Sequence, residues 1–237
     1  MNLRNFIING HRKILTSCDG KNLFWFQSPQ LLLLRLTLKP LIIRYAKGKT
    51  LDAGAGTLAY KPLFLNYASA YLSVDLRYRQ GLKAVTDIKE LAFKNGSLDT
   101  IFCSQVLEHI NLPQKAINEF YRCLKPGSSL ILTVPHLSCY HELPCDYYRF
   151  TAAGISFLLT QAGFKITVLK ECGGPVSFFS HMFSYAFLGI TGHIVLLRQA
   201  FLFINAALVG LVSLIDSMSN RILINPAPVN IIIIASK

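Results

Sequence analysis

Residues 50–56 read Thr50-Leu51-Asp52-Ala53-Gly54-Ala55-Gly56, and nineteen residues beyond Gly56 an acid closes the run Leu72-Ser73-Val74-Asp75. A short apolar strand entering a glycine turn brings backbone N–H groups up to a ligand where a Cβ would stand in the way. A second strand ending in a carboxylate can accept hydrogen bonds from both hydroxyls of a ribose. In dinucleotide-binding folds that acid falls about 20 residues beyond the turn. The two motifs together read as a nucleotide site, with an ordinary strand-to-helix turn as the plainer alternative.

Two residues narrow the ligand. The third glycine of a dinucleotide fingerprint would fall at position 59, which is Ala59. Asp52 stands directly before the turn; a carboxylate there repels a pyrophosphate and attracts a cation. S-adenosylmethionine (SAM), a nucleoside bearing a sulfonium and an ammonium, meets both conditions.

Outward from this stretch the chain alternates strands and helices. Strands are expected at Thr50–Ala53, Ala70–Val74, Leu82–Val85, Leu98–Cys103, Ser129–Val134 and Phe164–Leu169, with a last one at Val229–Ser236. A helix is expected from Tyr60, another over Pro113–Leu124 stopped by Leu124-Lys125-Pro126-Gly127, and a third capped by Thr151 and closed by Gly163. Repeated βα units imply a parallel sheet covered on both faces. Upstream, Ser28-Pro29 opens a helix over Gln30–Ala46 that Pro40 should kink or break; residues 1–28 show no clear period.

Composition adds a second theme. The 237 residues are 52% apolar and 15% charged, with a mean hydropathy of +0.40, more apolar surface than one α/β core needs. Residues 172–197 and 199–215 contain no Asp, Glu, Lys or Arg. Apolar helices are expected at His181–Leu197 and Gln199–Ile215, each near or below the length that spans a bilayer. They read as a hairpin dipping into one leaflet or lying on it, with a helical cap or a homodimer interface as the alternative. The net charge is +12, and residues 1–49 hold nine basic residues against one acid. Such an arm suits an anionic membrane surface or a nucleic acid; a solvated arm is the bland reading. Cys18, Cys103, Cys123, Cys139, Cys145 and Cys172 include no C-x-x-C, and the N-terminus lacks a signal-peptide core, which together suit a reducing, cytosolic setting.

The motifs in order resemble those of class I SAM-dependent methyltransferases, in particular small-molecule enzymes of polysaccharide and lipid gene clusters. The resemblance covers residues 48–172 and 229–237. It rests on Leu51–Thr57, on Asp75, on Thr86-Asp87-Ile88, and on Ser97–Ile101 followed by Val106-Leu107-Glu108-His109-Ile110. It also rests on Glu119, Arg122 and Leu124–Ser128. It implies a Rossmann-like α/β fold: a seven-stranded, mostly parallel sheet with an antiparallel last strand, here with an apolar helical insertion before that strand. The expected layout is a basic arm and helix over 1–47, a SAM-binding domain over 48–172 and 224–237, and the insertion over 173–223.

By the same resemblance SAM is the cofactor, held by Asp52, Gly54, Gly56, Asp75, Leu76, Asp87, Ile88 and Ser104. Methyl transfer is an in-line displacement, so the protein mainly aligns two molecules in a dry site. A base is required only when the acceptor must lose a proton, and His109, His136 and His141 are the candidates. Glu108, Tyr140, Asp146, Tyr148 and Arg149 would face the acceptor. The spacing of His136, Cys139, His141 and Cys145 matches no usual zinc knuckle, and no metal is expected. The chain departs from the family at Leu58, where many members have glycine.

The expected activity is methyl transfer to a small, lipid-linked or glycan-type acceptor, by a cytoplasmic protein peripheral or monotopic at the inner face of the membrane. A catalytically silent SAM-binding scaffold is the alternative, and a homo-oligomer stays open. A nucleic-acid methyltransferase fits less well: those acting on base amines carry an Asn/Asp-Pro-Pro-aromatic motif where this chain has Cys103-Ser104-Gln105-Val106.

Overall fold

A computed structural model of the chain describes residues 3–18, 22–219 and 228–237. Two compact units are present. One comprises Met1–Thr37, Leu137–His141 and Cys172–Asn230; the other comprises Leu38–His136, Glu142–Glu171 and Ile231–Lys237.

The second unit holds the sheet. Its strands are β1 (Gly48–Ala53), β2 (Ala68–Asp75), β3 (Ala84–Val85), β4 (Leu98–Ser104), β5 (Leu124–Pro135), β6 (Lys165–Cys172) and β7 (Asn230–Ser236), in the order β3-β2-β1-β4-β5-β7-β6. The pairs β1–β2, β1–β4, β2–β3 and β4–β5 are parallel. β7 runs against its neighbours. The Gly127 N–H donates to the Lys237 carbonyl and the Lys237 N–H to the Ser128 carbonyl, so the end of β7 meets the start of β5. The Ser236 hydroxyl donates to the carbonyl of Lys165, at the start of β6. The expected mostly parallel sheet with an antiparallel last strand is therefore present.

Alternation along the strands sets its two faces. Leu51, Ala53, Val74, Ile101, Cys103, Leu130 and Leu132 point into one core, which Ala116, Ile117 and Phe120 of a helix over Pro113–Cys123 and Ile155 and Leu159 of another over Ala152–Gln161 complete. Burial of both faces explains why these strands read as near-continuous apolar runs. Thr151 caps the latter helix as expected, its hydroxyl accepting from the Gly154 N–H at 3.0 Å. Arg122 staples the segment before β4: its guanidinium donates to both Glu119 carboxylate oxygens, to the Leu91 and Phe93 carbonyls, and to Asn95.

Several local expectations are corrected. The helix after Tyr60 is a single turn, Lys61–Phe64. The Leu124–Gly127 turn is the start of β5, and Leu98 pairs with Leu124 while Thr100 pairs with Ser129, so Pro126 and Gly127 sit in a bulge. The helix Pro29–Tyr45 runs through Pro40. Proline removes one bond, to the carbonyl of Leu36, and Leu36, Lys39, Pro40 and Ile43 are all exposed, so water can take that carbonyl.

The first unit is helical. Its helices are α1 (Leu3–Cys18), the first part of α2 (Pro29–Tyr45), α6 (Pro175–Thr191) and α7 (Arg198–Ser219), where α3, α4 and α5 are the helices Lys61–Phe64, Pro113–Cys123 and Ala152–Gln161. α1 occupies residues for which no period was expected. It packs on α6 through Gly10, Gly189 and Gly192, where a Cβ on Gly10 would collide with the carbonyl of Gly189. The second expected apolar helix, Gln199–Ile215, lies within α7, whereas the first, His181–Leu197, is corrected: α6 starts earlier and stops at Thr191, and Val195–Leu197 is a separate 3-10 turn. The expected boundary between insertion and last strand, at 223/224, lies outside the described residues.

Candidate functional site

The glycine loop closes the carboxyl end of β1. The N–H groups of Gly54 and Ala55 both donate to the Val74 carbonyl at 2.9 Å. Gly56 donates its N–H to Asp75 Oδ2 at 2.9 Å, and Asp75 Oδ1 accepts from the Arg77 N–H at 3.0 Å. The acid at the end of β2 thus holds the loop at the end of β1 and keeps spare lone pairs on both oxygens. Around Gly56 there is open space where a Cβ would be, the room a close-approaching ligand needs.

Gly54 adopts φ +83°, and a Cβ there would strike the side chain of Val106. Gly54→Ala combines a left-handed alanine with that clash, and we expect it to lower stability by about 2–3 kcal/mol, read by denaturant unfolding; a loss under about 0.5 kcal/mol would mean Val106 moves freely. Leu58 adopts φ +61°. The position at which many family members carry glycine therefore does have glycine's conformation, occupied here by leucine at about 1–2 kcal/mol of strain.

Asp52 is buried beside the loop and accepts a short hydrogen bond from the Tyr71 hydroxyl. Burial pushes its carboxyl up to about 7; the Tyr71 hydrogen bond opposes the rise and the nearby Asp75 charge adds to it. Tyr71 was not among the expected residues. It pairs with Thr50 in the β1–β2 register, so it sits on the same face as Asp52 and diagonal to it, and Phe64 packs against its ring. Aligning the two strands in parallel register would have found it.

The other expected cofactor residues line the same ends. Leu76 is exposed next to Asp75. Asp87 accepts from the Lys89 N–H at 2.9 Å. Ile88 turns its side chain into the core, so only its backbone is available to a ligand. Ser104 shares a 2.8 Å hydrogen bond with Thr133.

Past β4, Val106 leads into a 3-10 turn, Leu107–His109. Glu108 is fully buried; its carbonyl accepts from the N–H groups of Tyr147 and Tyr148. Burial raises its carboxyl to about 8, with the Glu108 backbone bond and Arg149 lowering it and Asp146 raising it. His109 Nδ1 lies 2.7 Å from the Cys145 carbonyl. A carbonyl only accepts, so Nδ1 carries the proton and the neutral ring's lone pair is on Nε2, which lies 3.7 Å from Glu108 Oε1. His136 is fixed likewise, Nδ1 donating to the Phe150 carbonyl at 2.8 Å. Arg149 grips Asp146 with two bonds of 2.6 and 2.9 Å. The Tyr148 hydroxyl donates to the Asn111 carbonyl.

Tyr140 and His141 belong to the helical unit. There Arg4 stacks over the Tyr140 ring at 5.6 Å, and His141 Nδ1 donates to the Cys139 carbonyl at 3.1 Å. Cys103, Cys123, Cys139, Cys145 and Cys172 are free thiols.

Residues 51–132 match the family model described as Methyltransferase domain, and the sheet order is consistent with a Rossmann-like methyltransferase fold. Among individual relatives, an uncharacterized protein of Methanocaldococcus jannaschii is 35% identical over 89 residues, 35% of this chain and 39% of that protein. The chain thus spans about two fifths of the length of the curated relative it matches. Three solved structures are similar. The [4+2]-cyclase SpnF has a TM-score of 0.59 at 18% identity, over 85% of this chain and 80% of that one. A phosphoethanolamine N-methyltransferase of Haemonchus contortus, in complex with phosphomonomethylethanolamine and S-adenosylhomocysteine, has 0.56 at 18%, over 100% and 61%. A SAM-dependent methyltransferase of Archaeoglobus fulgidus has 0.53 at 18%, over 89% and 95%.

Proposed function

We propose that this chain is a SAM-dependent methyltransferase acting at a membrane surface on a small, lipid-linked or glycan-type acceptor. The observation that carries the reading is the loop cradle. Gly56 leaves open space, Asp75 ties the loop with lone pairs to spare, and Asp52 is a buried carboxyl in want of a cation. These residues fit SAM, which when bound supplies an activated methyl on a sulfonium. In this reading Asp52 meets the ammonium end, Gly54 and Gly56 give the backbone close approach, and Asp75 takes the ribose. Leu76, Asp87, the Ile88 backbone and Ser104 complete the cofactor side. In this reading the sheet unit, Leu38–His136, Glu142–Glu171 and Ile231–Lys237, is the SAM-binding domain; of the expected 224–237, residues 224–227 lie outside the described residues.

On the acceptor side, Val106 packed on Gly54 couples the cofactor loop to Glu108 and His109. Nε2 of His109 is the nitrogen able to take a proton from an acceptor hydroxyl. His136 is the second candidate for that role. Asp146, Tyr148 and Arg149 shape the acceptor end; the bidentate hold on Asp146 makes Arg149 a positioning group first. The free thiols suit a cytoplasmic setting at the inner face of the membrane.

Labelled SAM incubated with the detergent-purified chain and a membrane extract tests this. Label in the organic or glycolipid fraction is the expected result. SAM binding with no transfer to any fraction would instead favour the silent SAM-binding scaffold, for which the left-handed Leu58 in the cofactor loop is the specific observation.

A further inference from the structure

The helices before the last strand have their polarity reversed. On α6 the buried side chains include Ser177, His181, Ser184 and Thr191, while Phe179, Met182, Phe183 and Ile190 are exposed. On α7, Leu202, Asn205, Val209 and Ser213 are buried, and Phe203, Ile204, Leu208, Leu211, Leu214 and Ile215 are exposed. A water-facing helix puts its polar residues outside; here the outward face is apolar on both. An apolar groove lined by Phe179, Phe183, Leu208, Val209 and Val212 continues that face between the helices. The connecting turn is the extreme case, with Val195 72% and Leu196 95% exposed.

The span Val195–Ile215 is long and apolar enough to cross a bilayer, yet one side of it is committed to protein. The Asn205 side-chain amide donates to the Phe26 and Gln27 carbonyls at 3.0 Å each. α6, with 17 residues, is short of the roughly 20 that a span requires. A helix pair with one face tied to protein and the other apolar suits a single leaflet.

Charge chooses the lipid. Among its described residues the helical unit has five basic residues, Arg4, Arg12, Lys13, Arg35 and Arg198, against one acid, Asp216. Two of the cations sit at the base of the apolar tip. Lys13 Nζ lies 3.3 Å from His193 Nδ1, and Arg198 donates to the Gly192 carbonyl at 3.1 Å. Long basic side chains at the root of an apolar wedge reach headgroup phosphates while the wedge enters the acyl region.

We propose that the Val195-Leu196-Leu197 tip and the outward faces of α6 and α7 insert into one leaflet of an anionic phospholipid membrane, with Lys13 and Arg198 at the headgroups. This deepens the membrane part of the function proposed above and does not depend on the methyl-transfer part. The test is flotation of the full chain with vesicles of phosphatidylcholine alone or with about one third phosphatidylglycerol, with SAM binding measured on the same preparation. The wild type is expected to float with the anionic vesicles, and Val195→Asp/Leu196→Asp to lose partitioning by more than tenfold. Both positions are exposed, so the fold is spared. Lys13→Glu is expected to weaken anionic flotation several-fold.

Wild type that stays at the bottom of the gradient overturns the proposal, and a soluble dimer in that case names a second copy as the occupant. Undiminished flotation of the double-Asp variant overturns the assigned tip, and equal flotation on both lipids overturns the role of the cations. Flotation without SAM binding would remove the methyltransferase reading and leave this surface standing; SAM binding without flotation does the reverse.

Discussion

Asp75→Ala weakens SAM binding by at least 100-fold while the chain still folds. The carboxylate does two things at once. It anchors the loop through the Gly56 N–H and its own turn through the Arg77 N–H, and in the proposed complex its remaining lone pairs accept from the ribose hydroxyls. Hydrogen bonds to a charged group are worth about 1.5–3 kcal/mol each, and losing two to the ligand together with the loop's tether exceeds the 2.7 kcal/mol or so that a factor of 100 represents. Asp75→Asn keeps one acceptor and loses the charge, so it should fall between. Asp75 lies at a strand end and is half-buried, so core packing survives its removal. Calorimetry on the two variants reads this, and an affinity for Asp75→Ala within threefold of wild type would sink the assignment of the ribose site.

The elements that were legible in the sequence are those whose local chemistry and tertiary role agree. β1 and its glycine turn read correctly because Gly54 and Gly56 both take the left-handed backbone that favours glycine. Thr151 and Gly163 framed α5 because a cap is a local device, and Gly163 does take the left-handed φ of +97°. α1 was missed for the opposite reason. Asn5, Asn9 and Gly10 lower its helix propensity, yet Gly10 is what lets α6 come within backbone contact; the residue that makes the packing erases the local signal. Lys125-Pro126-Gly127 carries turn chemistry and serves in a strand bulge.

The candidate site divides in the same way. Residues on the glycine loop and strand ends were placed by motif. Tyr71 was invisible to motif because its partner Asp52 is 19 positions away on the neighbouring strand, and only the register brings them together. The tautomer of His109 depends on a carbonyl 36 residues on, in a loop with no period of its own.

Affinity for SAM should rise with pH up to about 7 and then level off, because of Asp52. In the chain without ligand, burial holds that carboxyl up to about 7 against Tyr71's hydrogen bond, with Asp75 adding to the rise. A bound cation favours the carboxylate, so binding expels the proton that Asp52 otherwise keeps below pH 7. Linkage then gives close to tenfold tighter binding per pH unit well below 7 and half that slope at 7 itself, hence about fifteenfold between pH 5.5 and 7. The cofactor's own amino group, titrating near 8, lies above this window. The sign reverses for stability. The folded carboxyl keeps a proton that the unfolded chain releases at 3.8, so ionising Asp52 costs stability as pH climbs from about 4 to 7. Asp52→Asn should therefore melt higher than wild type at pH 8 yet bind SAM weakly and without pH dependence. Tyr71→Phe removes the bond that favours the carboxylate, so its affinity curve should shift to higher pH. Calorimetry at pH 5.5, 6.25 and 7, in buffers of differing ionisation heat, measures both the affinity and the proton released. Flat affinity over that range with no proton release would mean that Asp52 does not meet the cation, and would assign it to holding Tyr71 in the core instead.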